Sequence, residues 1–231
     1  SAGIGDADNL TLRALKTIQR ADLILAMPFV EKQLAEHFPE GVEILDAGHG
    51  LFTHLARSGA DCTEIEKREA HIRHRVRHAI SEGLCVVVVE FGDPTLFGPQ
   101  VGYLEEFHDL RPIILPGISS FNAANALLAQ PLLHGSSQRL MMTTVGGIKD
   151  YTGIPPDVLV LFTMRLNIDE LCSQLLKLYT LDTPVALVLS AGFSEHERVM
   201  HLTLGSFRDQ GSSLELPWAC LIYVGAIDAG R

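Results

Sequence analysis

The residues best suited to chemistry stand in a short loop, Phe91-Gly92-Asp93-Pro94-Thr95-Leu96-Phe97-Gly98, directly after the apolar run Cys85-Val86-Val87-Val88-Val89. Glycine there lets a ligand approach the backbone, and the aspartate fixes polar groups of the loop or of a ligand. Gly-Asp-Pro is also an ordinary turn, so it gains meaning only in combination. Glu90, just before the loop, is either a half-buried strand residue or an acid facing a substrate. A second segment, Pro116-Gly117-Ile118-Ser119-Ser120, places serines at the cap of a small-residue helix that runs through Leu128. A third, His71-Ile72-Arg73-His74-Arg75-Val76-Arg77-His78, puts three histidines at helical spacing, which could bind a metal, beside arginines that could hold carboxylates. With Ile72, Val76 and Ile80 turned inward, the remainder reads as a solvated basic face, and no metal site is expected.

These segments need elements to hold them. The five-residue run at 85–89 is β-branched and uniformly apolar, as expected of a central parallel strand. Strands are also expected at Leu23 to Ala26, Val42 to Leu45 and Pro112 to Leu115. They alternate with helices at Leu10 to Gln19 (capped by Asp8 or Asn9), Phe29 to His37, Glu64 to Ser81 and Gln100 to His108. That alternation predicts a mainly parallel sheet with helices on both faces and binding loops at the carboxyl ends of its strands. After Gln130-Pro131 the texture shifts to longer strand-like runs, at Arg139 to Val145, Val158 to Phe162, Val185 to Leu189, Val199 to Leu204 and Cys220 to Val224. One clear helix stands among them, near Ile168 to Leu178. The prediction is an α/β chain of two domains, 1–117 and 118–231, the second with a mixed sheet.

Composition narrows the function classes. At 231 residues and 47% hydrophobic content the chain can bury real cores, and a net charge of −10 offers no basic field for nucleic acid. No apolar run is long enough to span a membrane and no leader opens the chain, so a cytoplasmic protein is expected. Cys62, Cys85, Cys172 and Cys220 are too scattered for a zinc knuckle and read as reduced thiols. The opening Ser1-Ala2-Gly3-Ile4-Gly5 is loop-like with no strand before it, which suggests a short preceding segment.

Further segments stand in order with the two loops: Gly3-Ile4-Gly5-Asp6 before Leu10-Thr11-Leu12-Arg13-Ala14-Leu15, Leu161-Phe162-Thr163-Met164, and Thr183-Pro184-Val185-Ala186. In this layout the chain resembles the tetrapyrrole (corrin/porphyrin) methylase family from Gly3 to Gly225. The resemblance implies a two-domain, usually homodimeric methyltransferase that holds S-adenosylmethionine in a cleft between its domains and releases S-adenosylhomocysteine. Matched motif by motif, it implies cofactor contacts from Ile4, Phe91, Gly92, Asp93, Leu96, Ser119 and Ser120, joined by Met164, Ala191 and Ala219.

Two departures bear on mechanism. Gly3-Ile4-Gly5-Asp6 stands where the family usually has Gly-Pro-Gly-Asp. Uroporphyrinogen-methylating relatives place a basic aspartate where this chain has Met27, and a lysine where it has Asp46-Ala47-Gly48-His49. His49, at a strand end facing the expected cleft and oriented by Asp46, is therefore the candidate base. The implied acceptor is a tetrapyrrole of corrinoid or siroheme type. The alternatives are a peptide or other acceptor on the same fold, or a protein that binds S-adenosylmethionine without turnover. A dinucleotide-binding oxidoreductase is disfavoured, because Asp8 stands where Gly-x-Gly-x-x-Gly requires its third glycine.

Overall fold

A computed structural model describes residues 1–57, 61–164 and 166–227, apart from the side chains of Leu55, Arg57 and Ser212. The chain divides into two compact units, Ser1–Ser119 and Ser120–Arg231.

In the first unit, strands β1 (Leu23–Ala26), β2 (Glu43–Asp46) and β3 (Val86–Val89) pair in parallel in the order β2-β1-β3. Helices α1 (Leu12–Ile18), α2 (Pro28–Leu34), α3 (His54–Arg57), α4 (Cys62–Ser81) and α5 (Val101–Glu106) complete the unit. All four residues of β1 are fully buried, because successive side chains of a strand point to opposite faces and both faces are covered. Leu23 and Leu25 pack with Ile65, Ile72, Val76 and Ala79 of α4 and Tyr103 of α5. Ile24 and Ala26 pack on the other face with Ile18 of α1 and Val30 and Leu34 of α2. Helices on both faces follow from the uninterrupted apolar character of Leu-Ile-Leu-Ala.

Several expectations are corrected. The central strand is β1, while the Val-rich β3 takes an outer position and keeps Val86 to Val88 only half-buried. Pro112 to Leu115 forms no strand. It faces β3 across a cavity of about 480 Å³ lined by Val86 to Glu90 and Arg111 to Leu115, and Ile113 is 80% exposed. At the end of β3, Ala2 N–H bonds Glu90 O at 2.7 Å. The Glu90 carbonyl is thus taken by Ala2, and Pro112 has no N–H to offer a ladder. Helix α1 is capped by Thr11, whose Oγ1 accepts Ala14 N–H at 3.1 Å, because Asp8 and Asn9 are taken up in a 3-10 turn, Ala7–Asn9. Ile80, expected inward, is 41% exposed, and Ala79 fills the buried place instead.

The second unit carries α6 (Ser120–Leu128), β4 (Leu140–Thr144), β5 (Val158–Phe162), α7 (Ile168–Leu175), β6 (Pro184–Leu189), β7 (Arg198–Thr203), α8 (Leu204–Gln210) and β8 (Cys220–Gly225). Its sheet has the order β4-β5-β8-β6-β7, with β4 and β5 parallel and the remaining pairs antiparallel, so it is mixed as expected. Leu159, Leu161, Ile222 and Val224 pack against Leu171 and Leu175 of α7 and Leu204 and Phe207 of α8. Tyr223, one residue out of step, turns to the other face and donates its hydroxyl to Asn125 Oδ1 of α6 at 2.8 Å. The strand expected to reach Leu204 stops at Thr203, whose Oγ1 accepts Ser206 N–H at 3.1 Å and starts α8.

The contrast within α4 is measurable. Ile72→Ala, at a fully buried position, is expected to cost about 2–5 kcal/mol, whereas Ile80→Ala is expected to stay under about 1 kcal/mol. Urea unfolding midpoints of the two variants check this, and equal costs would misplace the buried face.

Candidate functional site

Parallel pairing puts the carboxyl ends of β1, β2 and β3 at one end of the sheet, so the segments that leave them meet there. These are Met27, which is buried, the stretch Asp46 to Gly50, and the stretch Glu90 to Gln100. The first residues join them. Gly92 N–H donates to Gly3 O at 2.6 Å, and the Ser1 hydroxyl donates to Gly92 O. Gly3 at φ +73° and Gly92 at φ +67° occupy the left-handed region, and a Cβ on Gly3 would collide with the Asn9 carbonyl. The Ile4 carbonyl accepts from Asn9 Nδ2 at 2.7 Å and the Gly5 carbonyl from Gln33. Ile4 and Gly92, far apart in sequence, are thereby brought together.

Asp93 works on its own loop. Its Oδ1 accepts both the N–H of Thr95 at 2.8 Å and its hydroxyl at 2.7 Å, while its carbonyl accepts Leu96 N–H at 3.2 Å. This is the side-chain turn by which an aspartate fixes backbone shape. Phe91 stacks on Phe29 with ring centroids 5.0 Å apart. Pro99 O accepts Gly50 N–H at 3.0 Å, which ties the loop to the stretch after β2.

Beneath the loop lies a buried polar cluster. Glu90 and Gln100 are 2% and 3% exposed. Glu90 Oε2 accepts Gln100 N–H at 2.8 Å, Gln100 Nε2 donates to Gly48 O at 2.6 Å, and the Tyr103 hydroxyl donates to Ala47 O at 2.8 Å. Glu90 Oε1 and Gln100 Oε1 are buried without a donor among the described residues. Burial pushes the Glu90 carboxyl up to about 8, and the Gln100 and Phe91 amides and the Ser1 amino group offset that only in part. Sequence reasoning weighed Glu90 without finding its partners and passed over Gln100 and Tyr103. A glutamine ten residues on carries no signal until the loop closes back onto Glu90.

His49 is exposed at this end of the sheet. Asp46 does not orient it: its Oδ1 accepts Gly48 N–H at 2.7 Å and its Oδ2 meets Arg68, so the carboxylate shapes the loop and pairs with α4. The basic segment of α4 is likewise committed. Arg73 grips Glu106 with both arms at 2.6 and 3.0 Å, Arg77 grips Asp109 at 2.6 and 3.1 Å, and Arg75 pairs with Glu43. Arg73 and Arg77 also lie over the rings of Phe52 and Phe107. The expected solvated face is a set of ion pairs across to β2 and the α5 end. No group of three or more His, Cys, Asp or Glu suited to a metal occurs among the described residues.

In the first unit Ser119 is buried at the end of the extended stretch, and in the second Ser120 opens α6. Within the second unit, antiparallel pairing of β8 with both β5 and β6 sets the carboxyl ends of β5 and β6 beside the start of β8. Met164, Ala191 and Ala219 follow or precede those ends, so they share one end of the mixed sheet. Ser190 N–H donates to Ala219 O at 2.6 Å, and the Thr163 hydroxyl donates to Cys220 O at 2.8 Å. Met164 is 40% exposed and Ala191 buried.

The raised Glu90 carboxyl has a consequence for stability. Below pH 4.5 both folded and unfolded chains hold the proton; between 4.5 and about 8 only the unfolded chain releases it, so this group's contribution falls with rising pH and levels off above 8. Glu90→Gln removes that dependence. Denaturant titrations at pH 5 and pH 8 should show the variant gaining about 4 kcal/mol on the parent across the interval, and a pH-independent difference would mean that Glu90 is ionised in the folded chain.

The model of the Tetrapyrrole (Corrin/Porphyrin) Methylases matches residues 1–208. Siroheme synthases of Stutzerimonas stutzeri (strain A1501) and Pseudomonas fluorescens (strain SBW25) are 25% and 26% identical over 98% of this chain and 48% of their own length. The chain thus spans about half the length of the curated relatives it matches. Among solved structures, a uroporphyrin-III C-methyltransferase from Thermus thermophilus superposes with a TM-score of 0.73 at 24% identity, covering 97% of this chain and 91% of that one. The Thermus thermophilus enzyme complexed with S-adenosylhomocysteine gives 0.71 at 22% identity, over 97% and 94% of the two chains. A cobalamin biosynthetic enzyme, cobalt precorrin-4 methyltransferase, gives 0.73 at 21%, over 97% and 92%. These structures share the fold, and the match over residues 1–208 settles the lineage: the chain belongs to the tetrapyrrole (corrin/porphyrin) methylase family.

Proposed function

We propose that this chain is an S-adenosylmethionine-dependent methyltransferase that methylates a carbon of a tetrapyrrole of siroheme or corrinoid type. The observation that carries the reading is the Gly-Asp-Pro loop at the carboxyl end of the parallel sheet, locked to Gly3 and Gly50, in a chain matched by the family along residues 1–208. Cofactor contacts are assigned to Ile4, Phe91, Gly92, Asp93 and Leu96 with Ser119 and Ser120, and to Met164, Ala191 and Ala219 of the second unit. The residues present fit such a group. Buried Gly92 admits close approach to its backbone, Leu96 and Met164 offer apolar surface, and loops at strand ends supply peptide groups. Bound S-adenosylmethionine supplies a methyl already activated by its sulfonium.

In the transfer a pyrrole carbon forms the new C–C bond as the S–CH3 bond breaks and its electron pair goes to sulfur. The chain's own contribution is then to hold the reacting atoms in line and exclude water. Where the acceptor must lose a proton as the new bond forms, His49 would take it in this reading, its exposed ring lying at the carboxyl end of the first sheet. A homodimer in the cytoplasm is part of the proposal. No helix among the described residues is long and apolar enough to cross a membrane.

A second reading is favoured by one observation. Met27, at the position where uroporphyrinogen-methylating relatives carry an aspartate, is 7% exposed and packs in the core, which is consistent with binding without turnover. A panel of tetrapyrroles separates the two readings: methyl transfer to any member sinks the second, and cofactor binding without transfer sinks the first.

Titration calorimetry with S-adenosylhomocysteine, and NADH as control, is expected to give micromolar affinity for the first alone, about −8 kcal/mol. Asp93→Ala removes the acceptor that shapes the loop through Thr95 and is expected to weaken that affinity about tenfold, as the loss of ~1.4 kcal/mol of loop order. Unchanged affinity in this variant would place the cofactor elsewhere.

A further inference from the structure

Among the described residues, Glu90 is a buried carboxylate beneath the candidate cofactor loop, and the proposed transfer does not use it. Its carboxyl sits inside the loop: a Cβ added to Gly98 would lie 3.3 Å from the Glu90 carboxyl carbon, and Gln100 N–H closes the neck of the loop on Oε2 at 2.8 Å. From Gln100 the connection runs on through Nε2 to Gly48 O at 2.6 Å, next to His49. The donor count is short. Glu90 Oε1 and Gln100 Oε1 are both enclosed with no donor among the described residues, and a buried acceptor without a donor is costly. A proton on Glu90 converts one orphaned acceptor into a donor and removes a charge from the enclosed site.

We propose that Glu90, in its protonated form, is a positioning residue that holds the stretch 91–99 closed and, through Gln100, fixes it to the stretch carrying His49. The consequence for the cofactor rests on the functional reading above; the strut itself does not. The titratable groups facing Glu90 are the Ser1 amino group, whose pKa burial lowers, and Tyr103 of α5, whose phenol burial pushes up and keeps neutral. The Ser1 amino group is a second titratable neighbour, so a variant has to tell the two apart.

The experiment combines amide hydrogen exchange over residues 91–100 with calorimetric titration of S-adenosylhomocysteine, at pH 7 and pH 9, for the parent, Glu90→Gln and Glu90→Ala. A group titrating near pH 8 is about nine-tenths protonated at pH 7 and one-tenth at pH 9, so the parent should lose about tenfold in affinity and in loop protection, after correction for intrinsic exchange. Glu90→Gln, neutral at both pH values, should keep the loop protected and remove the dependence. Glu90→Ala should leave 91–100 unprotected at pH 7. Protection in the parent that does not change with pH, or a change that survives in Glu90→Gln and so belongs to Ser1, overturns the proposal. The expected exchange pattern without any binding of S-adenosylhomocysteine upholds the strut and sinks the cofactor reading.

Discussion

Parallel pairing on both sides of a fully buried β1 is the constraint on which the candidate site depends. Because the three strands run the same way, every loop leaving a carboxyl end arrives at the same place, and each brings backbone groups that need partners. The partners found are other loops. Gly3 O takes Gly92 N–H, Pro99 O takes Gly50 N–H, and Gly48 O takes the Gln100 amide. A set of loops that satisfy one another is preorganised, which is what a site that works by positioning requires. The second unit reaches a comparable end by another route, since antiparallel pairing of β8 with β5 and β6 gathers Thr163, Ser190 and Ala219 at one edge.

The polar groups divide into those that hold shape and those left open. Asp93 is expected to fix its loop or a ligand, Asp46 to orient His49 and the arginines of α4 to form a solvated face, yet each is engaged within the chain: Asp93 with Thr95, Asp46 with Gly48 and Arg68, Arg73 with Glu106. The pairs of α4 are partly exposed, so screening keeps their contribution small, and their effect is to fix where α4 meets β2 and α5. Glu90 is the reverse case, an acid whose burial is costly when charged and which sits under the loop with the clearest family signature.

The sequence by itself determined the periodic features: an apolar Leu-Ile-Leu-Ala strand buried on both faces, the inward stripe of Ile65, Ile72 and Val76 on α4, the five strands of the second unit, and the Gly-Asp-Pro loop after a Val-rich run. These follow from local chemistry, since burial on two faces needs a continuous apolar run and left-handed turns need glycine. Only the tertiary structure decided that β1 rather than β3 is central, that Pro112 to Leu115 stays out of the sheet, and that Gln100 returns to Glu90. Strand order and ladder partners depend on segments distant in the chain, here Ala2 against Glu90, and no periodicity within either segment records which other segment will occupy its edge. The same reason hid the cluster beneath the loop, because the protonation of a carboxyl is set by what encloses it.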